Sequence, residues 1–264
     1  METDLIAEFS PETLAAARGR LGDRGIDPRH VVATDPRGRD IDLATLYLVL
    51  GSVAATEKAG QLPIYALARL ALHAGLPNEI ADTLFLAYNQ QSAEEAGHGD
   101  KVFGNAYFAL GATPATGDLS VVGDPSDAGS FLAPEADPKQ NKQRLGTFAA
   151  AIGGIETVAL QRTFPTLVKL FERWDHPVSR DLLQQISEIV RPEEARHVLL
   201  FRYVFHQLIA PKGEAVITRF HETFNGGRAQ VGAATVDRQE FDRLVGSSCP
   251  TPRQLLGKER ALPT

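Results

Sequence analysis

The hydrophobic and polar positions follow a helical period through most of the chain. No segment shows the strict alternation of apolar and polar residues that is typical of a half-buried strand. The pattern therefore predicts an all-α protein. Apolar residues recur every three or four positions in the segments 11–22, 42–73, 79–110, 140–173, 178–209 and 213–224.

The lengths of the connections predict a four-helix bundle, with extra short helices at both ends. The first and second long helices, and the third and fourth, are joined by short connections. The segment 111–138 between the second and third is long and rich in Gly, Pro, Asp, Ser and Thr, as expected of a crossover that covers a site. We expect one domain over 1–264, with its core at about 42–210, a loop at 23–39 and a loosely structured tail at 248–264.

Two nearly identical six-residue segments, AEEAGH and PEEARH, occur 99 positions apart. Each contains a Glu-x-x-His motif, Glu95 with His98 and Glu194 with His197. On a helix, positions i and i+3 lie on one face about one turn apart. A carboxylate and an imidazole in these positions can bind the same metal ion.

A further glutamate precedes each motif at the same distance. Glu57 lies 38 positions before Glu95, and Glu156 lies 38 positions before Glu194. Both upstream glutamates are the single acidic residue within a stretch of apolar and small residues. A carboxylate on a buried helix face is costly unless it is paired or bound to a metal. The sequence therefore predicts a helical hairpin that is repeated once with the same polar pattern.

The combined set of four glutamates and two histidines has a definite chemistry. Carboxylate and imidazole ligands without a thiolate suit iron or manganese. Four carboxylates nearly balance the charge of two divalent ions, and ferritin-like di-metal bundles use this combination of residues. The sequence therefore predicts two Fe ions, or one Mn and one Fe, held inside a helical bundle.

The six-residue pattern resembles that of the ferritin-like di-iron carboxylate superfamily over about 42–210, and this resemblance implies that the four-helix bundle is ferritin-like. Within it, the chain is most similar to ribonucleotide reductase small subunit-like oxidases and bacterial di-iron oxygenases. The resemblance implies one metal ion on Glu57, Glu95 and His98, a second on Glu156, Glu194 and His197, and bridging by Glu95 and Glu194. Reductase small subunits usually carry a radical tyrosine four residues after the first ligand histidine. Val102 stands there, so no stored tyrosyl radical is expected.

Several neighbouring residues have two interpretations. In oxygen-activating relatives, a carboxylate at the position of Glu94 and Glu193 accepts a hydrogen bond from a ligand histidine; the alternative is a solvated helix face. Tyr88, Gln91 and Asn105 either line a substrate pocket or form hydrogen bonds to the ligand residues, or they are satisfied polar residues of the core. The small residues next to the upstream glutamates either allow close helix packing or leave a cavity above the metals: Gly51, Ala54, Ala55, Gly153 and Gly154.

Charge and composition exclude several other classes of function. The net charge of −6 gives no support for a nucleic-acid partner. The single cysteine, Cys249, excludes an intrachain disulfide and a cysteine-based metal site. The N-terminal residues lack the apolar core of a signal peptide, and no apolar stretch reaches the length of a membrane span. The expected location is the cytoplasm.

The interpretation is an O2-dependent oxidoreductase, an oxidase or monooxygenase that oxidises a small or apolar organic substrate. The metal centre itself is the catalytic group, and electrons come from a separate donor protein, since no flavin or nicotinamide fingerprint is visible. A ferroxidase or a di-manganese catalase-like protein is the alternative, and a metal-stabilised binder of an apolar ligand is a third. The oligomeric state stays open, with a homodimer among the options.

Overall fold

The computed structural model describes residues 9–34, 38, 40–110 and 133–258. The described residues are mostly helical, which confirms the all-α class. Most of the predicted crossover, residues 111–132, and the last residues of the predicted tail, 259–264, lie outside the described residues. The ferritin-like arrangement of four helices stays a prediction.

The α-helices are numbered here in chain order. Their bounds are α1 Pro11–Asp23, α2 Leu43–His73, α3 Asn78–Gly97, α4 Gly104–Leu110, α5 Pro138–Val158, α6 Phe164–Phe171, α7 Pro177–Gln185, α8 Arg191–Val204, α9 Glu214–Gln230, α10 Arg238–Val245 and α11 Pro252–Leu255.

Four π turns interrupt the segments that the sequence predicts as continuous helices. A π turn contains one residue more than an α-helical turn and is frequent at functional sites. Three of the four follow or precede a predicted metal ligand within a few residues. They are π1 His98–Phe103, π2 Ala159–Thr163, π3 Ile186–Val190 and π4 Phe205–Ile209.

A short two-stranded ribbon corrects the prediction that the chain contains no strands. β1 (Val31–Thr34) lies inside the predicted loop 23–39, and it pairs antiparallel with β2 (Asp40–Asp42), which follows that loop. Strands of four and three residues are too short to show a recognisable alternation. The ribbon leads directly into α2, where Oδ1 of Asp42 accepts a hydrogen bond from the Thr45 main-chain N–H at 2.9 Å.

The remaining differences concern a proline and the C-terminal part. α2 continues through Pro63 as one helix, although a proline inside a helix removes a hydrogen-bond donor and often causes a bend. The sequence predicts no helix at the residues of α10 and a loosely structured tail at 248–264, although α11 lies within that tail. α11 begins with a capping box, in which Thr251 and Gln254 exchange side-chain and main-chain hydrogen bonds.

The chain forms two compact units that alternate along the sequence. The first unit comprises 1–60, 94–125 and 163–191, and the second comprises 61–93, 126–162 and 192–264. In the first unit, the buried rings of Phe103 and Phe164 stack at 5.9 Å. The prediction of one domain over the whole chain stays a prediction.

The second unit has a large aromatic core. Phe201, Phe220, Phe224 and Phe241 are buried together, with ring centroids 5.1–6.4 Å apart. α9 packs closely along α5, because glycines occur where the two main chains approach. A Cβ on Gly227 would overlap the main-chain carbonyl of Ala151. This packing fixes the helix that carries Glu156.

Within the described residues, no helix combines the length and the apolar character that a membrane crossing requires.

Candidate metal centre

The first unit brings together three of the predicted ligands, which we call the first triad: Glu57, Glu95 and His98. Glu57 lies on α2, Glu95 lies on α3, and His98 is the first residue of π1. One ligand atom from each lies within 4.8 Å of the others. Nδ1 of His98 is 3.2 Å from Oε2 of Glu57. Glu95 and His98 are buried, and Glu57 is half-buried.

A close approach of two helices positions this triad. Gly99, the residue after His98, faces the main chain of α2 so closely that a Cβ would lie 2.8 Å from the carbonyl oxygen of Ala54 and 2.9 Å from the nitrogen of Lys58. Nζ of Lys58 also binds Oδ1 of Asp100 at 2.8 Å. The imidazole therefore reaches the upstream glutamate because a residue without a side chain follows it.

The second unit brings together the other three predicted ligands, the second triad: Glu156, Glu194 and His197. Glu156 lies on α5, three residues before π2, and the other two lie on α8 directly after π3. One ligand atom from each lies within 4.8 Å of the others. Nδ1 of His197 is 3.5 Å from Oε2 of Glu194 and 3.7 Å from Oε2 of Glu156. All three side chains are buried, and Glu194 is 1% exposed.

A buried amide orients one carboxylate of the second triad. Nε2 of Gln91 donates a hydrogen bond to Oε1 of Glu156 at 2.8 Å. The other oxygen of Glu156, Oε2, is the one that faces Nδ1 of His197. Gln91 is itself buried, with 2% of its surface exposed. Gln91 thus forms a hydrogen bond to a predicted ligand, and its role as a residue of a substrate pocket stays a prediction.

The distances in both triads fit ligands of a shared cation. Ligand atoms about 2.1 Å from one ion lie about 3 Å apart at right angles and about 4 Å apart when opposite. The nitrogen–oxygen distances of 3.2, 3.5 and 3.7 Å lie within this range. The two distances around His197 are long for hydrogen bonds, which are typically 2.7–3.2 Å. Each triad is thus compatible with a bound metal ion.

The electrostatics of each triad also favour a cation. Two carboxylates lie close to one imidazole in a site that is largely closed to water. Two carboxylates at such short range repel each other, and burial disfavours their charged form. A divalent ion would neutralise both charges and use the imidazole as a neutral donor. The donor set of oxygen and nitrogen suits iron or manganese, and it does not identify which.

The other predicted residues differ in their burial and in their contacts. Tyr88 is buried, and burial raises the pKa of its phenol above the ordinary value, so the hydroxyl stays protonated. Asn105 is exposed on α4. Glu94 and Glu193 are half-buried, and Glu193 pairs with Nη2 of Arg196 at 3.6 Å. Their predicted role as partners of the ligand histidines stays a prediction.

The small residues next to the upstream glutamates permit close packing. A Cβ on Gly51 would lie 2.7 Å from the ring of Tyr107. A Cβ on Gly153 would overlap the ring of Phe201, and one on Gly154 would overlap the main-chain carbonyl of Phe224. At these three positions, neighbouring side chains and main chains fill the space, so no cavity remains next to these glycines.

The histidines outside the two motifs serve other contacts. His73 is exposed at the end of α2. A ring nitrogen of His206 lies 3.2 Å from the carbonyl oxygen of Val245, and one of His221 lies 2.9 Å from that of Val236. Nδ1 of His176 accepts a hydrogen bond from the main chain at the start of α7.

Sequence reasoning missed the elements that position the ligands. Glycine is unfavourable inside a helix, so Gly99 within the predicted helix 79–110 carries a signal of its close approach. Gly227 lies in α9 beyond the predicted helix 213–224, and the sequence carries no comparable signal there. The π turns have no comparable signal in the pattern of apolar residues.

Comparisons with protein-family models, with curated proteins and with solved structures find no match to this chain. The class of site is therefore defined by its side chains, as two buried groups of glutamate and histidine that are compatible with metal binding.

Proposed function

We propose that each triad holds one metal ion and that the two ions form a di-iron or manganese–iron centre that activates O2 to oxidise a small or apolar organic substrate. In this proposal Glu95 and Glu194 bridge the ions, and a separate protein supplies electrons. The protein is then an oxidoreductase of the ferritin-like di-iron class. Its substrate belongs to the organic compounds that an oxygenase or oxidase can attack.

One observation carries the proposal: each predicted set of two glutamates and one histidine meets within 4.8 Å in a poorly accessible place. The residues of each set come from separate segments of the sequence, so folding is required to assemble them. A buried group of two carboxylates has a large electrostatic cost unless a cation is bound. The repeated spacing of 38 residues supports a common role for the two sets.

The protein residues provide the geometry for this chemistry. Bound iron would supply redox equivalents and a binding position for O2. Glu57 and His98 hold their donor atoms 3.2 Å apart, and Gly99 maintains this distance through the approach to α2. Gln91 fixes the rotation of the Glu156 carboxylate. Burial of the imidazoles excludes water, which strengthens the interaction between ligands and metal.

Metal analysis of purified variants tests the ligand assignment. We expect about two ions per chain in the wild-type protein, and a sharp loss of bound metal in Glu57→Ala and Glu156→Ala. Glu188→Ala, which removes an exposed glutamate from π3, is the matched control and should retain the wild-type content. His73→Ala should also retain it. Full retention of metal in Glu57→Ala and Glu156→Ala would remove both residues from the site.

Spectroscopy of the iron-loaded protein tests whether the two ions form one centre. In the oxidised ⁵⁷Fe protein, two ferric ions that share carboxylates are magnetically coupled and give a diamagnetic ground state in Mössbauer spectra. Two independent ferric ions would give magnetic spectra and an EPR signal in proportion to the iron content. The second result would contradict the dinuclear centre while leaving the two triads as separate metal sites.

Aerobic iron addition distinguishes the proposal from its alternative. An oxygenase should oxidise about two Fe(II) ions per chain and then stop unless an external reductant is present. A ferroxidase would continue through many ions per chain, which optical recording of ferric iron would show. Oxygen uptake that depends on both a reductant and an added organic compound would support the proposed reaction.

A further inference from the structure

A groove of about 430 Å³ lies in the second unit, between the N-terminal half of α5 and the segment that enters α9. Its volume is typical of sites that bind small molecules. It belongs to a part of the unit that contains none of the metal triads. The lining residues are Lys139, Lys142, Gln143, Gly146, Thr147, Ile209, Lys212, Val216, Arg219, Phe220 and Thr223.

The charge of the groove is entirely positive. Its lining contains four cationic side chains, Lys139, Lys142, Lys212 and Arg219, and no aspartate or glutamate. None of the four forms an ion pair with a carboxylate among the described residues. The whole chain carries a net charge of −6, so this concentration of cations differs from the rest of the molecule.

The floor of the groove is apolar. Ile209 and Phe220 are buried, and Val216 is half-buried beside them. A Cβ on Gly146 would lie 3.2 Å from Cδ1 of Ile209, so the floor is closely packed at this point. Three neutral polar side chains also line the groove, Gln143, Thr147 and Thr223. The two threonine hydroxyls donate to main-chain carbonyl oxygens one turn earlier, at 3.0 and 2.9 Å, so the amide of Gln143 is the neutral hydrogen-bond donor of the lining.

Two of the cations in the groove, Lys142 and Lys212, repel each other. Partial burial lowers the pKa of Lys212, and the positive charge of Lys142 lowers it further. Both causes penalise the charged ammonium group in the absence of an anion. A bound anion would reverse the second effect.

We propose that this groove binds an organic anion with two or more negative charges and a small apolar body, of the class represented by an aryl phosphate monoester. The four cations surround the anionic head, and Ile209, Val216 and Phe220 contact the apolar body. Inorganic phosphate would satisfy the charges but leave the apolar floor in contact with water. A neutral apolar molecule would cover the floor but remove water from the ammonium groups without replacing it.

Calorimetric titration with three probes tests both parts of this assignment. The probes are 1-naphthyl phosphate, which has the charge and the apolar body, inorganic phosphate, which has the charge alone, and 1-naphthol, which has the body alone. We expect 1-naphthyl phosphate to bind with one molecule per chain and at least tenfold more tightly than either other probe. Its affinity should fall as the salt concentration rises, because part of it is electrostatic. Equal binding of inorganic phosphate would overturn the proposal in favour of a nonspecific anion site.

Charge variants locate the binding to the groove. The double variant Lys142→Gln/Arg219→Gln should bind 1-naphthyl phosphate at least tenfold more weakly. The matched control, Lys101→Gln/Lys169→Gln, removes two exposed cations from the first unit and should bind as the wild-type protein does. Unchanged affinity in the groove variant would overturn the assignment. If the first variant folds poorly, a second variant, Val216→Asp, makes the same test. It places a negative charge in the lining and should abolish binding.

The metal content of these variants separates this inference from the proposed function. The groove variants should retain the wild-type amount of metal, and Glu156→Ala should retain the affinity for 1-naphthyl phosphate.

Discussion

The amide of Gln91 is the clearest case of a single side chain that controls the orientation of a predicted ligand. Its Nε2 donates to Oε1 of Glu156 at 2.8 Å, which directs the other carboxylate oxygen towards His197. Gln91→Leu keeps the approximate volume and removes the donor. We expect the affinity for metal in the second triad to fall about 10- to 100-fold. Titration with Mn(II), followed by the loss of the EPR signal of the free ion, measures this change.

The control for this prediction is Gln184→Leu. Gln184 is exposed, and its Nε2 lies 3.2 Å from Oε1 of Glu188 on the helix surface. Its replacement should leave Mn(II) affinity unchanged. If the two variants bound Mn(II) equally well, the hydrogen bond from Gln91 would have no role in positioning Glu156.

At the scale of residues, spacing in the sequence predicted which glutamates and histidines come together, but not the residues that position them. Glu57 and Glu156 could be recognised because an isolated carboxylate among apolar residues demands a partner. Gln91 could be flagged as a polar residue on the same face, yet nothing in the sequence indicated which carboxylate it would meet. Asn105 was placed on the ligand face by counting two α-helical turns from His98. The π turn between them changes that count, and Asn105 is exposed.

At the scale of helices, two neighbouring glycines offer a test with an internal control. A Cβ on Gly99 would press against the main chain of α2, at 2.8 Å from the oxygen of Ala54, whereas one on Gly97 would meet nothing within 4 Å. Gly99→Ala should lower the free energy of unfolding by about 1–3 kcal/mol, because the helices must separate. It should also weaken metal binding by the first triad, since His98 moves away from Glu57.

Gly97→Ala should act in the opposite direction. Gly97 has helical backbone angles, φ −64° and ψ −45°, that alanine adopts without strain. Alanine favours a helix over glycine by about 0.5–1 kcal/mol. Denaturant unfolding of the two variants compares them directly. Equal stability of Gly97→Ala and Gly99→Ala would mean that the close approach to α2 does not constrain the helix.

A second pair of glycines tests the packing of α9 on α5. A Cβ on Gly227 would overlap the carbonyl of Ala151, and one on Gly226 would meet nothing within 4 Å. Gly227→Ala should destabilise the protein by about 1–3 kcal/mol or more, because the contacting atoms belong to a main chain that cannot rotate away. Gly226→Ala should be neutral or slightly stabilising. Thermal unfolding followed by circular dichroism measures both, and a normal melting temperature for Gly227→Ala would contradict the packing.

The helical period predicted the positions of the long helices well, but it did not predict their π turns or the short elements. The long segments of apolar period all contain helices, since burial of one face dominates their sequence. The ribbon of β1 and β2 is too short to have a period, and α10 is a short helix whose residues are mostly polar. The two intervals of 38 residues have the same length but different structures. The second hairpin contains π2 and π3, whereas the first contains no π turn between Glu57 and Glu95.

For the whole molecule, metal binding should contribute to stability. A ligand that binds the folded state alone stabilises it by about 2.7 kcal/mol at a concentration 100 times its Kd. For a chain of this size, this corresponds to a rise in melting temperature of roughly 5–10 °C. We expect anaerobic Fe(II) to produce such a rise and a chelator to reverse it.

The response to metal should depend on the two triads. The double variant Glu57→Ala/Glu156→Ala should melt at the same temperature with and without Fe(II), while Glu188→Ala should respond as the wild-type protein does. A normal response of the double variant would place the stabilising metal elsewhere in the protein.

Each of the four π turns is equivalent to one residue inserted into an α-helix. Deleting one residue from π1 or π3 would therefore restore continuous α-helical hydrogen bonding. The later side chains of that helix would keep nearly the same directions, because the wider turn accommodates the extra residue. A protein with the same two triads but without these turns would differ from this chain by single-residue gaps in the middle of helices. An alignment that places gaps only in loops would then pair each ligand with the wrong neighbour.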